Sequence, residues 1–189
     1  MLRISLSGTH CTGKTTLLKA IESDRFFEEW DIIPGPTRSV KQGGLPINND
    51  EANNYDLTQV MCAMYDIDKL SVKQFGDVIS DRCLFDTLIY TRYLSSIGKI
   101  SQPILDLIEK LWERERVNYS FLLIPSTKDV QLVRDSDRNN DSDFRLGVES
   151  LVYQELDKGL IRFFDIQGDT ITRLQTIKQI INNESKYRK

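Results

Sequence analysis

Cysteine is scarce: the 189-residue chain has three. Cys11, Cys62 and Cys83 are odd in number and match no zinc-ligand spacing. A reducing compartment follows, with Cys62 and Cys83 read as small buried apolar residues. The chain has one histidine, His10. No apolar run reaches the roughly 18 residues of a membrane span, so no membrane partner is expected. No leader is visible ahead of a first strand that begins almost at Met1, and the expected location is the cytoplasm. Excess positive charge is also missing. The formal net charge is −3 and the pI about 5.3, which disfavours a protein that coats nucleic acid while leaving room for a local basic groove. Repeats, low-complexity tracts and linkers are absent. A chain of this length, 40% hydrophobic, suits one domain over residues 1–189 with a sizeable core.

What is present is concentrated near the start. Gly8-Thr9-His10-Cys11-Thr12-Gly13-Lys14-Thr15-Thr16 contains G-x-x-x-x-G-K-[ST], the Walker A loop. Gly8 and Gly13 permit backbone conformations that a side chain would obstruct, so the loop N–H groups can face phosphate oxygens. The following helix adds the positive end of its dipole. Lys14 supplies a point charge for the β- and γ-phosphates, and the Thr15 hydroxyl can ligate Mg²⁺. The phosphate-binding set from the loop is Gly8, Thr12, Gly13, Lys14, Thr15 and Thr16. Leu2, Ile4 and Leu6 before it have strand character, and Leu17, Leu18 and Ile21 after it recur at helical spacing. Strand, glycine loop and helix is the arrangement the motif requires. His10 invites a catalytic role, but a loop filler whose backbone does the binding is the preferred reading.

Strand and helix signals alternate downstream, which favours a parallel α/β sheet. Strands are expected at about Leu2–Leu6, Trp30–Ile33, Asp77–Asp81, Tyr119–Ile124 and Leu160–Ile166. Helices are expected at about Glu51–Gln74, Phe85–Ser96, Ile104–Val117 with Pro103 at its start, Thr127–Leu132, a stretch ending near Leu156, and a last one capped by Asp169. The polar stretch Lys41–Asn54 reads as a mobile loop. Lys186–Lys189 reads as a solvated basic tail.

Ligands bind such sheets beyond the carboxyl ends of the strands. Asp81-Arg82 falls there. An acid in that position often holds Mg²⁺, and an arginine can clamp phosphate with paired hydrogen bonds. The segment 134–145 carries Arg134, Arg138 and Arg145 among turn-forming residues. It reads either as a solvated linker or as a flap that closes, excludes water and neutralises developing charge; the upstream loop favours the flap. Arg38 is a candidate for reaching an acceptor, or a surface arginine. Gln59 can read the edge of a base, or be a helix-surface residue. Phe85, Tyr55 and Tyr65 can stack on a base or belong to the core.

Gly8–Thr15, Asp81-Arg82 with the helix that follows, and the arginine-rich segment together resemble the P-loop nucleoside and nucleotide kinases. That group includes thymidylate kinase, the deoxynucleoside kinases and a ribosylnicotinamide-kinase-like branch of AAA-type ATPases. Asp135-x-x-Arg138-x-x-Asp141-x-x-Phe144-Arg145 is similar to the lid of that last branch. The resemblance implies a three-layer P-loop NTPase fold: a five-stranded parallel sheet with the phosphate-loop strand in the middle, flanked by helices and topped by an arginine-rich lid. It implies ATP as donor, Mg²⁺ as cofactor, a place in nucleotide metabolism, and room for a homodimer. Lys14, Asp81, Arg82 and Arg138 would be catalytic. Arg134 and Arg138 would touch donor phosphates, Thr15 and Asp81 would hold the metal, and Arg38, Gln59, Arg82, Phe85 and Arg145 would face the acceptor. Residues 37–70 would cover that acceptor.

One departure stands out. Deoxynucleoside kinases carry a glutamate after the second strand that takes the acceptor's proton; here Ile33-Pro34-Gly35-Pro36-Thr37-Arg38 contains no acid. Either Asp81 serves, or the acceptor is an already ionised phosphate. The leading expectation is an ATP- and Mg²⁺-dependent phosphotransferase for a nucleoside, nucleotide or nucleotide-like small molecule. The alternatives are a kinase for a hydroxyl in DNA or RNA and a non-kinase ATPase. A GTPase is disfavoured, because no Asn-Lys-x-Asp motif occurs.

Overall fold

The computed structural model describes residues 1–35, 55–71, 76–127 and 142–186. Its strands are β1 (Arg3–Leu6), β2 (Asp31–Ile33), β3 (Val78–Asp81), β4 (Phe121–Pro125) and β5 (Phe163–Ile166). All four neighbouring pairs are parallel, in the order β2-β3-β1-β4-β5. The phosphate-loop strand is therefore central, as expected. Six α-helices occur among the described residues: α1 (Lys14–Glu22), α2 (Tyr55–Ser71), α3 (Leu84–Ser96), α4 (Gln102–Glu115), α5 (Ser142–Leu156) and α6 (Thr170–Lys186).

Strand alternation divides the apolar residues between two layers. Leu2, just before β1, and Ile4 and Leu6 of β1 join Phe121 and Leu123 of β4 on one face, where Leu17, Leu18 and Ile21 of α1 and Ile177 and Ile181 of α6 cover them. Leu122 and Ile124 of β4 point the other way, into a second core with Leu84, Phe85 and Leu88 of α3, Ile108 and Trp112 of α4, and Val148 and Val152 of α5. Covering both faces is what a parallel sheet requires. Each fully buried large side chain contributes about 1.5–3 kcal/mol relative to exposure.

Local signals fix the helix ends. Pro103 lies in the first turn of α4, where its missing N–H costs nothing. Asp169 accepts the Thr172 N–H at 2.8 Å and starts α6. The expected short helix at Thr127–Leu132 lies outside the described residues beyond Thr127, as do the loop Lys41–Asn54, the continuation of α2 through residues 72–74, and the tail after Lys186. Segment 134–141 lies outside them too. The remaining part of the expected flap, residues 142–145, is the first turn of α5.

Candidate functional site

Three chain segments meet at the carboxyl edge of β1. The β1–α1 loop is one; the β3–α3 joint and the end of β4 are the others. Register sets the first contact, because Leu6 pairs with Asp81 and the Arg82 N–H donates to the Leu6 carbonyl at 2.9 Å. On the other side the Ser7 N–H donates to the Leu123 carbonyl at 2.9 Å.

The loop needs its glycines. Gly8 has φ +111° and Gly13, the residue preceding α1, has φ +80°, both conformations that side chains disfavour. Cys11 also lies on the left-handed side, at φ +56°, a local strain of about 1–3 kcal/mol at a non-glycine residue. Lys14 opens α1 with its side chain buried. Its Nζ donates to the Gly8 carbonyl at 3.0 Å, to the Thr9 carbonyl and to Thr12 Oγ1 at 3.1 Å. The ammonium thus sits inside the curl of the loop. Thr15 is half-buried beside it and Thr16 is exposed.

At the β3–α3 joint, Asp81 is buried at the strand end. Gly35, just beyond β2, packs against it: a Cβ there would lie 2.9 Å from the Asp81 carbonyl oxygen and 3.3 Å from Oδ2. Arg82 adopts φ +70°, a second strained residue at the same edge. Its Nη1 donates to Asp86 Oδ1 at 3.1 Å and lies 3.4 Å from the Gly8 carbonyl; its guanidinium stands 5.3 Å from the Tyr90 ring centre. Burial works against this charge, but Tyr90, Asp86 and Asp81 outweigh it and raise the pKa. Arg82 is permanently cationic.

The start of α5 closes the edge. Arg145 is buried; its carbonyl accepts from Thr9 Oγ1 at 3.5 Å and its Nη2 donates to the Thr127 carbonyl at 3.4 Å. Phe144 packs against His10, ring centres 5.6 Å apart, and His10 Nδ1 is 3.2 Å from the Tyr90 hydroxyl. His10 is thereby packed between α3 and α5, which suits a loop filler.

Other expected residues are placed differently. Gln59 is not on a helix surface: it is buried, with its side-chain oxygen 3.2 Å from Thr91 Oγ1. Phe85 is a correction. It has no exposed surface and packs edge-to-face on Trp112 at 5.5 Å within the α3–α5 core, because its position on α3 turns it away from the sheet edge; stacking on a base is closed to it. Tyr65 is half-buried. Arg38, Arg134 and Arg138 lie outside the described residues, as does the side chain of Tyr55.

Sequence reasoning missed two residues. Asp86 accepts the Gly8 N–H at 3.0 Å and the Cys83 N–H at 3.1 Å as well as Arg82. The spacing Cys83-x-x-Asp86 could have flagged it, had the residue preceding the helix been serine or threonine. Arg173, on α6, donates to the Thr12 carbonyl at 2.6 Å. No local signal marks it, since the contact spans 161 positions.

Among the described residues no cluster of three or more His, Cys, Asp or Glu side chains is arranged to hold a metal. The available donors at the edge are the Thr15 hydroxyl and the Asp81 carboxylate. Two hard oxygens fit a Mg²⁺ ion that keeps most of its shell as water and phosphate. Among the described residues no helix is long and apolar enough to cross a membrane.

A family model described as an AAA domain matches residues 3–173. No curated protein matches the sequence. Solved structures do match the fold. A deoxyadenosine kinase from M. mycoides with products dCMP and dCDP bound has a TM-score of 0.69 at 14% identity, covering 96% of this chain and 99% of its own. Thymidylate kinase from Candida albicans gives 0.70 at 16%, covering 97% and 92%. NadR protein in complex with NAD and AMP-PNP gives 0.66 at 15%, covering 96% of this chain but 49% of NadR. At these identities the likeness is one of fold: the sheet and helices described above are arranged as in the deoxyadenosine and thymidylate kinase structures.

Proposed function

The chain belongs to the AAA domain family, matched over residues 3–173, and from that premise we propose that it is an ATP- and Mg²⁺-dependent phosphotransferase. Its acceptor would be a nucleoside, nucleotide or nucleotide-like small molecule. The observation that carries this reading is the Lys14 ammonium, held inside the loop by the Gly8 and Thr9 carbonyls and Thr12 Oγ1. A buried ammonium seated there can exchange loop oxygens for the β/γ-phosphates of a bound triphosphate and so stabilise charge as the phosphoryl group moves.

The roles divide by segment. Thr12, Gly13, Thr15 and Thr16 present loop and helix N-terminal donors to the phosphates, while Gly8, its N–H held by Asp86, supplies the turn that opens the loop. Thr15 and Asp81 would hold Mg²⁺, which neutralises phosphate charge when bound. Arg82, kept cationic by its neighbours, turns from the Gly8 carbonyl toward transferring or acceptor phosphate. Arg145 stands at the base of the segment that carries Arg134 and Arg138, and these would close over the donor. Gln59 and Arg38 would orient the acceptor. The segment after β2, where deoxynucleoside kinases carry an acid, has none here; Gly35 in it lies so close to Asp81 that a Cβ would come within 3.3 Å of the carboxylate, and Asp81 is the acid of that corner. Deoxyadenosine and thymidylate kinases share this fold, which supports a nucleoside or nucleotide as acceptor.

Incubation with Mg²⁺-ATP and a panel of nucleosides, nucleotides and nucleotide-like ribosides, read by mass spectrometry, tests the proposal. One acceptor should gain a phosphoryl group with matching ADP release. ATP consumption at the same rate with every acceptor omitted would count for an ATPase instead.

A further inference from the structure

We infer that Arg173 is a positioning residue for the phosphate loop, fixing the Thr12–Gly13 peptide so that its N–H is aimed at a bound polyphosphate. The inference rests on the triphosphate-binding reading above and extends it to a helix far from the motif. Arg173 is 2% exposed. Removing a guanidinium from water costs several kcal/mol unless hydrogen bonds offset it. Here Nη1 donates to the Thr12 carbonyl at 2.6 Å and Nη2 to the Ser126 carbonyl at 2.9 Å. One planar fork therefore joins the phosphate loop to the residue that follows β4.

The consequence lies in the peptide plane. No described peptide bond is cis, so the Thr12 carbonyl and the Gly13 N–H point in opposite directions from one rigid unit. Holding the carbonyl toward α6 turns the N–H away from α6. Gly13 is where such a restraint has most effect, because a glycine at φ +80° is the residue whose backbone resists rotation least. Lys14 performs the matching task from within, taking the Gly8 and Thr9 carbonyls. With the carbonyls of Gly8, Thr9 and Thr12 turned to cationic donors and the Gly8 N–H held by Asp86, the remaining loop amides are left to form an anion-binding concavity. The short contact to Arg173 also polarises the Thr12–Gly13 peptide and strengthens its N–H as a donor.

Calorimetry with Mg²⁺-ATP and, separately, with inorganic tripolyphosphate tests this on the full chain. Arg173→Met should weaken both by roughly 10- to 100-fold. Arg173→Lys, whose single ammonium cannot span both carbonyls as a fork does, should fall between it and the parent. Ile177→Ala, which opens the core under the same helix (Ile177 has no exposed surface), should lower the melting temperature and leave both affinities unchanged well below the transition. Parent-like affinity in folded Arg173→Met overturns the inference. So does a loss in Ile177→Ala equal to that of Arg173→Met. If Arg173→Met does not fold, parent-like affinity in Arg173→Lys overturns it and a loss of threefold or more supports it. A parent protein that binds neither probe overturns the triphosphate reading itself, a result distinct from all of these.

Discussion

The Asp86 carboxylate, one turn into α3, accepts the backbone N–H of Gly8 at 3.0 Å and so ties the first glycine of the phosphate loop to the helix after β3. The same side chain takes the Cys83 N–H at 3.1 Å and the Arg82 guanidinium at 3.1 Å. Three donors converge on a group that is 4% exposed. Asp86→Ala leaves two amides and a charge without their acceptor, and stability should fall by about 3–5 kcal/mol. Asp86→Asn puts an NH₂ in place of one acceptor oxygen, facing a donor it cannot satisfy, and should recover only part. Urea unfolding followed by circular dichroism measures both; a loss under 1 kcal/mol in Asp86→Ala would refute the anchoring role.

Lys14→Ala separates binding from folding. The ammonium is enclosed by loop oxygens, outside both hydrophobic cores. Phosphoryl transfer should drop by roughly 10²–10³-fold or more, while the melting temperature moves by only a few degrees. Full activity in the variant would contradict the assigned role.

Gly35→Ala probes the packing of the segment after β2 against Asp81. An added methyl would sit 2.9 Å from a backbone oxygen of Asp81, and a backbone atom cannot rotate aside as a side-chain tip can. Either the end of β2 lifts or Asp81 is displaced. Overpacking of this kind costs about 1–3 kcal/mol. The more specific expectation is a raised Mg²⁺ requirement for transfer, since the displaced group is the one assigned to the metal. A variant with the parent's Mg²⁺ titration curve and stability would show that Asp81 is free to adjust.

The features legible in the sequence are those built from neighbours along the chain. Leu2, Ile4 and Leu6 followed by Gly8 and Gly13 announce the central strand and its loop, because periodicity and backbone freedom are local properties. Asp169 announces the start of α6 for the same reason. Phe85 misled because an aromatic one turn past Asp81-Arg82 can face either the sheet edge or the α3–α5 core, and only the packing of Trp112 against it decides. Gln59 is ambiguous from its helix position alone, because its partner, Thr91 of α3, is 32 positions away. Arg173 and Asp86 were invisible as site residues because their partners, Thr12 and Gly8, are 161 and 78 positions away. The chemistry-bearing motif was readable; the groups that hold it in shape were not.

The cysteines should differ sharply in reactivity. Burial pushes the Cys83 thiol up to about 12, with Asp86 adding to it and bonds to Ser5 and Ser7 working against it. Its thiolate fraction at pH 8 is then on the order of 10⁻⁴, and it is 2% exposed. Cys62 is buried as well, whereas Cys11 is partly open in the loop. An aromatic disulfide reagent at pH 8 should label Cys11 alone in the folded protein and all three in urea, with Mg²⁺-ATP slowing the folded-state reaction. Peptide mapping that finds Cys83 labelled as fast as Cys11 would show the α3 joint to be open.

Acid should weaken the clasp between the α1–β2 connection and α6. Asp24 accepts the Phe26 N–H at 2.9 Å and pairs with Lys178 of α6. The bond from Lys178, then that from Phe26, hold its carboxyl below the usual 3.8. A group whose pKa is lower folded than unfolded stabilises above the unfolded value and loses that contribution as pH falls through the folded one. Asp24→Asn cannot titrate. Its stability deficit relative to the parent should be constant from pH 7 to about 5, and shrink between about pH 4 and the lowest pH at which both remain folded. The pair is partly solvated, with side chains 20% and 21% exposed, so the deficit should stay near or below about 1 kcal/mol and diminish in high salt. Parallel urea titrations across that range measure the difference, and a deficit that grows on acidification would reverse the assigned sign.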